Sequence, residues 1–458
     1  MANNVVIIGG GAAGCMAACF AKKCGASVVL IEKNEKLGKK IYITGKGRCN
    51  VTNDCDETEF LENVVTNPRF LTSSVYAFPP EKLMAFLEEN GLRLKTERGN
   101  RVFPLSDKSS DVIKCFQICL KELGVSVRLN TEVLQILTKN EQTNDGENKV
   151  AVCGVTVQSN GEKTQINCDK IIVCTGGKSY PVTGSTGDGY TFAETLGHEI
   201  SPVRAALSGL ELFGGDFADL SGLSLKNVGL KLNKNGKKIY DDFGEMLFTH
   251  NGVSGPMVIS ASSYLSADYA KSLKKQNKKS YLENGVKSTE IKVIGSNVST
   301  ENYEISIDLK PALDEKTLDA RVLRDFAKFG GKSLKNSLIE LLPKSLIGFI
   351  IDYCGLNADK KNGELTSSER KKLVFALKNL SFKVKGLRPI EEAIVTGGGV
   401  CVNQVNPKTM ESKLVSGLYF AGEVLDVDAL TGGFNLQCAF STGAAAGKAA
   451  AAENLIKA

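Results

Sequence analysis

The chain has no tryptophan and only two histidines, His198 and His250, in 458 residues. That scarcity argues against a histidine-rich metal centre, though one histidine still suffices for catalysis. None of the 13 cysteines forms a C-x-x-C pair, which removes zinc ribbons and thioredoxin-type dithiols, and no metal site is expected. No apolar run approaches the roughly 18 residues of a spanning helix. The N-terminus lacks the basic region and long apolar stretch of a signal peptide. Reduced thiols, a cytoplasmic location and no membrane span are therefore expected. Charge of one sign is scarce as well: the net charge is +6. The local exception is Lys271, Lys274, Lys275, Lys278 and Lys279, five lysines in nine residues without an acid. With no aromatic residue inside the run to stack on bases, a solvated surface insertion is expected there, and no nucleic-acid partner.

Glycine is abundant instead. It supplies 46 of 458 residues, about one in ten against a usual share of roughly 7%. A chain of this length predicts two or three domains. Val5–Ile8 reads as a buried strand, Cys15–Lys23 as a helix and Ser27–Ile31 as a second strand. Helices are predicted near 80–90 and 110–123, and strands at 125–129, 150–157 and 170–174. Between about 202 and 310 the alternating segments 225–232, 290–294 and 303–309 predict a mostly antiparallel β unit. Residues 311–380 carry helical spacing, and after Gly386 the glycine-rich α/β texture returns. The fold class expected is α/β: the chain leaves a first domain, 1–200, and comes back to it at 388–458, with a mostly antiparallel β unit at 201–310 and 381–387 and a helical stretch at 311–380 between.

Gly9-Gly10-Gly11-Ala12-Ala13-Gly14 supplies G-x-G-x-x-G between the first strand and its helix. Gly9 suits a tight turn, Gly11 a close backbone approach to a pyrophosphate, and Gly14 close packing of helix on strand. Glu32 follows Gly14 by 18 residues and ends the second strand, where a carboxylate can accept from both hydroxyls of an unphosphorylated ribose. A second fragment, Gly417-Leu418-Tyr419-Phe420-Ala421-Gly422-Glu423, selects FAD over NAD, because its acid suits the ribityl chain that only the flavin has. Thr431 to Asn435 then leads into an alanine-rich helix whose positive end can stabilise charge on a reduced ring.

Further motifs span nearly the whole chain: Thr44-Gly45-Lys46-Gly47-Arg48-Cys49-Asn50-Val51-Thr52-Asn53, Thr175-Gly176-Gly177-Lys178-Ser179-Tyr180-Pro181, Gly184 to Gly189, Leu247 to Pro256, and Val395 to Val400. In this order they resemble the BaiN/aminoacetone oxidase-like bacterial FAD flavoproteins. The resemblance implies a two-part FAD-binding Rossmann-type domain, 1–200 and 388–458, with an inserted mostly antiparallel β domain and an inserted helical domain. It also implies that Gly9, Gly11, Ala13 and Gly14 face the pyrophosphate and Glu32 the adenosine ribose. Lys39 and Lys40 would lie on the way to the flavin, with Arg48, Cys49 and Asn50 close to it and the Val133 backbone near the adenine. Gly176 and Gly177 would close over the nucleotide. Gly422, Glu423, Gly433, Phe434 and Asn435 would hold the ribityl chain and ring. One branch of the family resembles reductases of unsaturated 3-oxo bile acids, another amine oxidases of aminoacetone. Residues 266–300 look like an addition to the family core.

The activity expected is hydride transfer between bound flavin and a small organic substrate, such as reduction of an unsaturated 3-oxo compound of bile-acid or steroid type, with NADH or NADPH as a transient donor. A flavin amine oxidase using oxygen and a non-catalytic flavin-binding interaction protein are the alternatives. His250 is the proton-donor candidate by residue type, with Tyr180 and Ser254 behind it. His198, after Gly197, reads as a partner for a helix C-terminus. Cys49 and Cys55 also raise a flavin disulfide reductase, but their spacing and the missing second G-x-G-x-x-G argue against it. The sequence leaves the substrate and the oligomeric state open.

Overall fold

The computed structural model describes residues 2–142, 148–214, 217–284, 293–294, 300 and 302–452. They divide into two units, Met1–Ala206 with Leu273–Ile294 and Ile390–Ala458, and Leu207–Ser272 with Gly295–Pro389.

At the centre of the first unit is an all-parallel sheet. Its parts, in chain order, are β1 (Asn4–Ile8), α1 (Ala12–Lys23), β2 (Ser27–Ile31), β3 (Ser126–Arg128), β4 (Lys170–Val173), β5 (Leu418–Phe420) and the covering helix α2 (Phe434–Ala451). The strand order is β5-β4-β1-β2-β3, and Ile8 stands opposite Ile31 and Val173. Val5, Val6, Ile7 and Ile8 are all buried, as expected of a parallel strand covered on both faces. All three residues of β3 are exposed at the sheet edge.

Small residues let α1 and α2 approach closely. A Cβ added at Gly443 would lie 2.4 Å from the Ala13 carbonyl oxygen, and one at Gly447 2.3 Å from that of Ala17. The alanines and glycines of α2 are therefore packing residues, four apart on one face.

Three antiparallel strands, Thr131–Gln142, Asn148–Ser159 and Glu162–Asn167, form a meander before β4. Strand Ile200–Ala206 pairs with Val395–Val400 on one side and, in parallel, with Val293–Ile294 on the other. The expected segment 290–294 thus belongs to the first unit where it is described, while 290–292 lie outside the described residues. Arg204 on Ile200–Ala206 is fully buried; its Nη2 donates to Asp428 Oδ1 and to Thr66 Oγ1, each at 2.9 Å.

The second unit contains a closed antiparallel barrel, ordered Leu210–Leu212, Gly252–Ser254, Lys237–Thr249, Ser224–Lys234, Tyr303–Asp308 and Leu380–Leu387. Leu225, Val228, Leu230 and Leu232 are buried along one strand, Ile305 and Ile307 along another. Phe217 stacks on Phe248 and meets Phe382 edge-on, and Phe349 of a nearby helix joins them. The same unit holds helices Glu315–Lys328, Lys344–Tyr353 and Ser367–Lys378, the last started by a capping box between Thr366 and Glu369. Helix Pro256–Asn284 runs into the expected addition and carries the lysine run; Lys271 is exposed.

Candidate functional site

The turn between β1 and α1 shows three different demands on glycine. At Gly9, φ is +103° and a Cβ would sit 2.5 Å from the Cys174 carbonyl oxygen; at Gly14 a Cβ would sit 1.9 Å from Gly9 O. Neither position accepts a side chain. Around Gly11, by contrast, nothing approaches within 4 Å of an added Cβ. Gly11 also caps α1 without a side-chain hydrogen bond, so the first N–H groups of the helix, that of Ala13 among them, face this open space. A helix start of that kind binds an anion.

Glu32 is held in place from the backbone. Its Oε2 accepts from Gly10 N–H at 2.8 Å, and its Oε1 accepts from Asn34 N–H at 2.9 Å and Asn34 Nδ2 at 2.6 Å. Thr131 N–H donates to the Glu32 carbonyl oxygen at 3.1 Å, so the strand carrying Val133 starts against this acid. Lys39 Nζ reaches Asn34 Oδ1 at 3.2 Å. Lys33 pairs with Asp188 at 2.6 Å, and Asn34 Nδ2 donates to the Thr183 carbonyl oxygen at 3.2 Å. These bonds tie the loop after β2 to the loop 181–188.

The second acid collects donors from three segments. Lys40 Nζ lies 2.7 Å from Glu423 Oε2 and 3.0 Å from Oε1. Thr396 N–H donates to Oε1 at 2.8 Å and Ser179 Oγ at 3.1 Å, while Lys40 Nζ donates to Ser179 Oγ at 2.6 Å. Burial pushes the Glu423 carboxyl up, but the Lys40 ammonium and the Thr396 donors outweigh it, and the group stays below the usual carboxylate range. Gly177 permits this arrangement, because a Cβ there would fall 2.3 Å from Thr396 Oγ1. Gly176, with φ +74°, leads into it. Gly422 N–H donates to Thr442 Oγ1 at 3.0 Å, anchoring the Gly422-Glu423 step on α2. Ser179 and Thr396 carry no signal in the sequence beyond their places inside the glycine motifs after β4 and at 395–400.

The start of α2 packs on the 44–53 motif. Gly433 has φ +98°, and a Cβ there would overlap the Thr52 backbone at 2.3 Å. Thr52 Oγ1 donates to Gln437 Oε1 at 2.7 Å, and Asn53 Nδ2 to the Gly432 carbonyl oxygen at 3.2 Å. Phe434 packs on Phe60 in the interior. Asn435 spends its amide on Ala429 and Leu430. What these two residues present toward a ligand is thus the backbone of the helix start. Arg48 lies 4.1 Å above the Phe103 ring and pairs with Glu97 and Asp107. Asn50 Oδ1 and Thr175 Oγ1 are buried with no hydrogen-bond partner among the described residues. These orphaned polar atoms, the open approach at Gly11 and the two oriented acids fit an FAD-type dinucleotide.

Burial pushes the thiols of Cys49 and Cys55 up to about 12, so neither is a ready nucleophile. His198 meets the C-terminal turn of helix Asp188–Thr195, as expected, but as a neutral ring. It is buried against Phe420, with Nε2 2.8 Å from Ser412 Oγ and Nδ1 3.2 Å from the Ala193 carbonyl oxygen. The carbonyl contact with helix Asp188–Thr195 exists, but burial lowers the imidazole pKa, so the ring is a neutral bridge rather than a cation on a helix end. Ser412 Oγ already accepts from Leu414 and Val415 N–H; its hydroxyl must donate to Nε2, which leaves Nδ1 protonated. Tyr180 adopts φ +51° and is half-buried, its N–H on the Glu391 carbonyl oxygen. His250 is exposed in the barrel turn, and Ser254 ends the next barrel strand; both belong to the second unit. Among the described residues, no group of three His, Cys, Asp or Glu could hold a metal, and no helix is long and apolar enough to cross a membrane.

Residues 3–449 match the family described as HI0933-like protein Rossmann domain. The chain is 29% identical to the 3-dehydro-bile acid delta(4,6)-reductase of Clostridium scindens, over 98% of this chain and 99% of that one. It is 30% identical to the ribosomal RNA dihydrouridine synthase of Haemophilus influenzae, over 95% and 96%. Identity to the Escherichia coli protein of the same description is 29%, over 96% of each chain. Among solved structures, the 3-ketosteroid delta1-dehydrogenase of Sterolibacterium denitrificans shares the fold at a TM-score of 0.50 and 14% identity, covering 98% of this chain and 99% of that one.

Proposed function

Because the chain belongs to the HI0933-like family of FAD-dependent Rossmann oxidoreductases, we propose that it reduces a carbon–carbon double bond conjugated to a carbonyl. The observation carrying this reading is the dinucleotide cradle: an open Gly11 at a free helix start, with Glu32 and Glu423 each already oriented by their neighbours. The names of the relatives supply the substrate class. A 3-oxo bile acid with double bonds at positions 4 and 6 and a uridine ring share an alkene in conjugation with a carbonyl, and saturating it needs one hydride and one proton. FAD, when bound, would supply hydride exchange with substrate. Gly9 to Gly14 and the start of α1 would take its pyrophosphate, Glu32 the adenosine ribose, Glu423 the ribityl hydroxyls, and the first N–H groups of α2 the pyrimidine edge of the ring.

The protein must also deliver a proton to the carbon next to the carbonyl. Tyr180, His250 and Ser254 are the proposed donors, and replacing the true one costs roughly 10²–10⁴-fold in turnover. With one dinucleotide fold among the described residues, NADH or NADPH would reduce the flavin transiently in the substrate's cavity. Parallel double-reciprocal lines are expected; intersecting lines would contradict that sharing.

A small 3-oxo compound is the first reading. Uridine in RNA is the second, favoured by the two ribosomal RNA relatives at comparable identity, and with it the initial expectation of no nucleic-acid partner lapses. The test is anaerobic: reduce the purified yellow protein with NADH or NADPH, then add a 3-oxo-4,6-diene bile acid, an unmodified ribosomal RNA fragment, or amines. Return of flavin absorbance with a conjugated alkene is expected. Oxidised flavin bleached by amines, with neither alkene restoring the colour of the reduced protein, would overturn the reading in favour of an amine oxidase. A flavin that nothing turns over would make it an interaction protein.

A further inference from the structure

An acid that accepts from sugar hydroxyls works best as a carboxylate, yet Glu423 sits where burial favours the neutral form. Its side chain keeps 20% of its surface exposed, and Lys40 keeps 23%. Around it, the short helix Lys39–Ile43 contributes the Lys40 ammonium, the loop after β4 the Ser179 hydroxyl, and strand Val395–Val400 the Thr396 N–H. Helix Asp188–Thr195 contributes Tyr190, whose phenol is buried and has no hydrogen-bond partner among the described residues. Burial first, then Glu423 and Asp426, push the Tyr190 hydroxyl well above its ordinary value, against the opposing charge of Arg204. It remains neutral and offers no countercharge. Among the described residues, Lys40 is the cation in contact with the acid.

We propose that Lys40, braced by Ser179, is a positioning residue that keeps Glu423 ionised and aimed at the cofactor's polyol, and so sets the pH range over which flavin is retained. This rests on the reading above that Glu423 accepts from the ribityl hydroxyls. A lysine bound to both carboxylate oxygens and to Ser179 Oγ fixes the carboxylate plane from one side, and the exposed remainder of the side chain is left for the ligand. Removing the ammonium leaves the acid with neutral donors and its burial. Its pKa then rises, and a proton must be lost each time flavin binds below that value.

The test strips flavin from the full chain and measures equilibrium FAD binding by fluorescence between pH 8.5 and 5.5. Wild type should hold a nearly constant Kd. Lys40→Met should weaken binding by about tenfold per pH unit once the pH falls below the raised Glu423 value, as one-proton linkage requires. Lys40→Arg should restore the flat profile. Glu423→Gln should be weak and flat, and adding Lys40→Met to it should cost little more. A Lys40→Met profile parallel to wild type, or losses that multiply in the double variant, would overturn the proposal. Should Lys40→Met not fold, Ser179→Ala carries the test: an acid-side weakening absent from wild type should enter the range between pH 8.5 and 5.5, and a profile as flat as wild type counts against the proposal. A wild-type chain that binds no FAD would instead overturn the cofactor assignments on which it rests.

Discussion

Gly11 and Gly14, three residues apart at the start of α1, do different work, and substitution separates them. Gly11→Ala adds a methyl to open space, so the melting temperature without cofactor should hardly change. FAD affinity should fall roughly 10–100-fold, because the methyl intrudes on charge-assisted hydrogen bonds to the pyrophosphate. Gly14→Ala places its methyl 1.9 Å from Gly9 O; urea denaturation should show a loss of about 1–3 kcal/mol or more before any ligand is added. The buried His198 makes a pH prediction. Its folded pKa is lowered by burial, so below the unfolded value of roughly 6.5 the unfolded chain binds a proton that the native state refuses. Stability should therefore fall as pH drops through and below that value. His198→Gln, which keeps a hydrogen-bonding side chain beside Ser412, should flatten this part of the urea midpoint against pH; an unchanged slope would show that the imidazole does not titrate between the two states.

At the scale of elements, the periodic segments were legible and the partnerships were not. Val5–Ile8, Ser27–Ile31 and the helix starting near 110 could be read from apolar spacing, because a two-sided buried strand and an amphipathic helix each leave a local pattern. That 293–294 would pair with Ile200–Ala206 had no local signal, since strand pairing is decided by residues far away in sequence. Arg204 shows the same limit. In sequence it is a lone arginine between Val203 and Ala205; folded, it joins Ile200–Ala206 to Asp428 and Thr66. Arg204→Ala takes from the buried Asp428 this cation, and chemical denaturation should register a loss of about 3–5 kcal/mol. Adding Asp428→Asn should recover part of that loss.

For the whole molecule, the dinucleotide cradle gathers residues from 9–14, 32–34, 40, 177–179, 396 and 422–423, all within the first unit. A ligand that binds across so many segments binds the folded chain and not the unfolded one. FAD at about 100 times its Kd should therefore add about 2.7 kcal/mol to stability, visible as a higher melting temperature. Glu423→Gln, at the same FAD concentration, should recover less of that rise, and a melting temperature indifferent to FAD would count against the cradle.

The amino-acid order alone determined that a strand, a glycine turn and a helix begin this chain with an acid 18 residues on, and that a second glycine–acid step recurs near the end. Those features are local, because turn sterics and helix dipoles act over a few residues. Only the tertiary structure decided that Lys40, Ser179 and Thr396 converge on Glu423, that Arg48 is committed to Glu97 and Asp107, and that His198 is a buried neutral bridge. Each of those outcomes depends on which distant charge or hydroxyl reaches a side chain first, and on how much water burial removes from it. Spacing along the chain encodes neither.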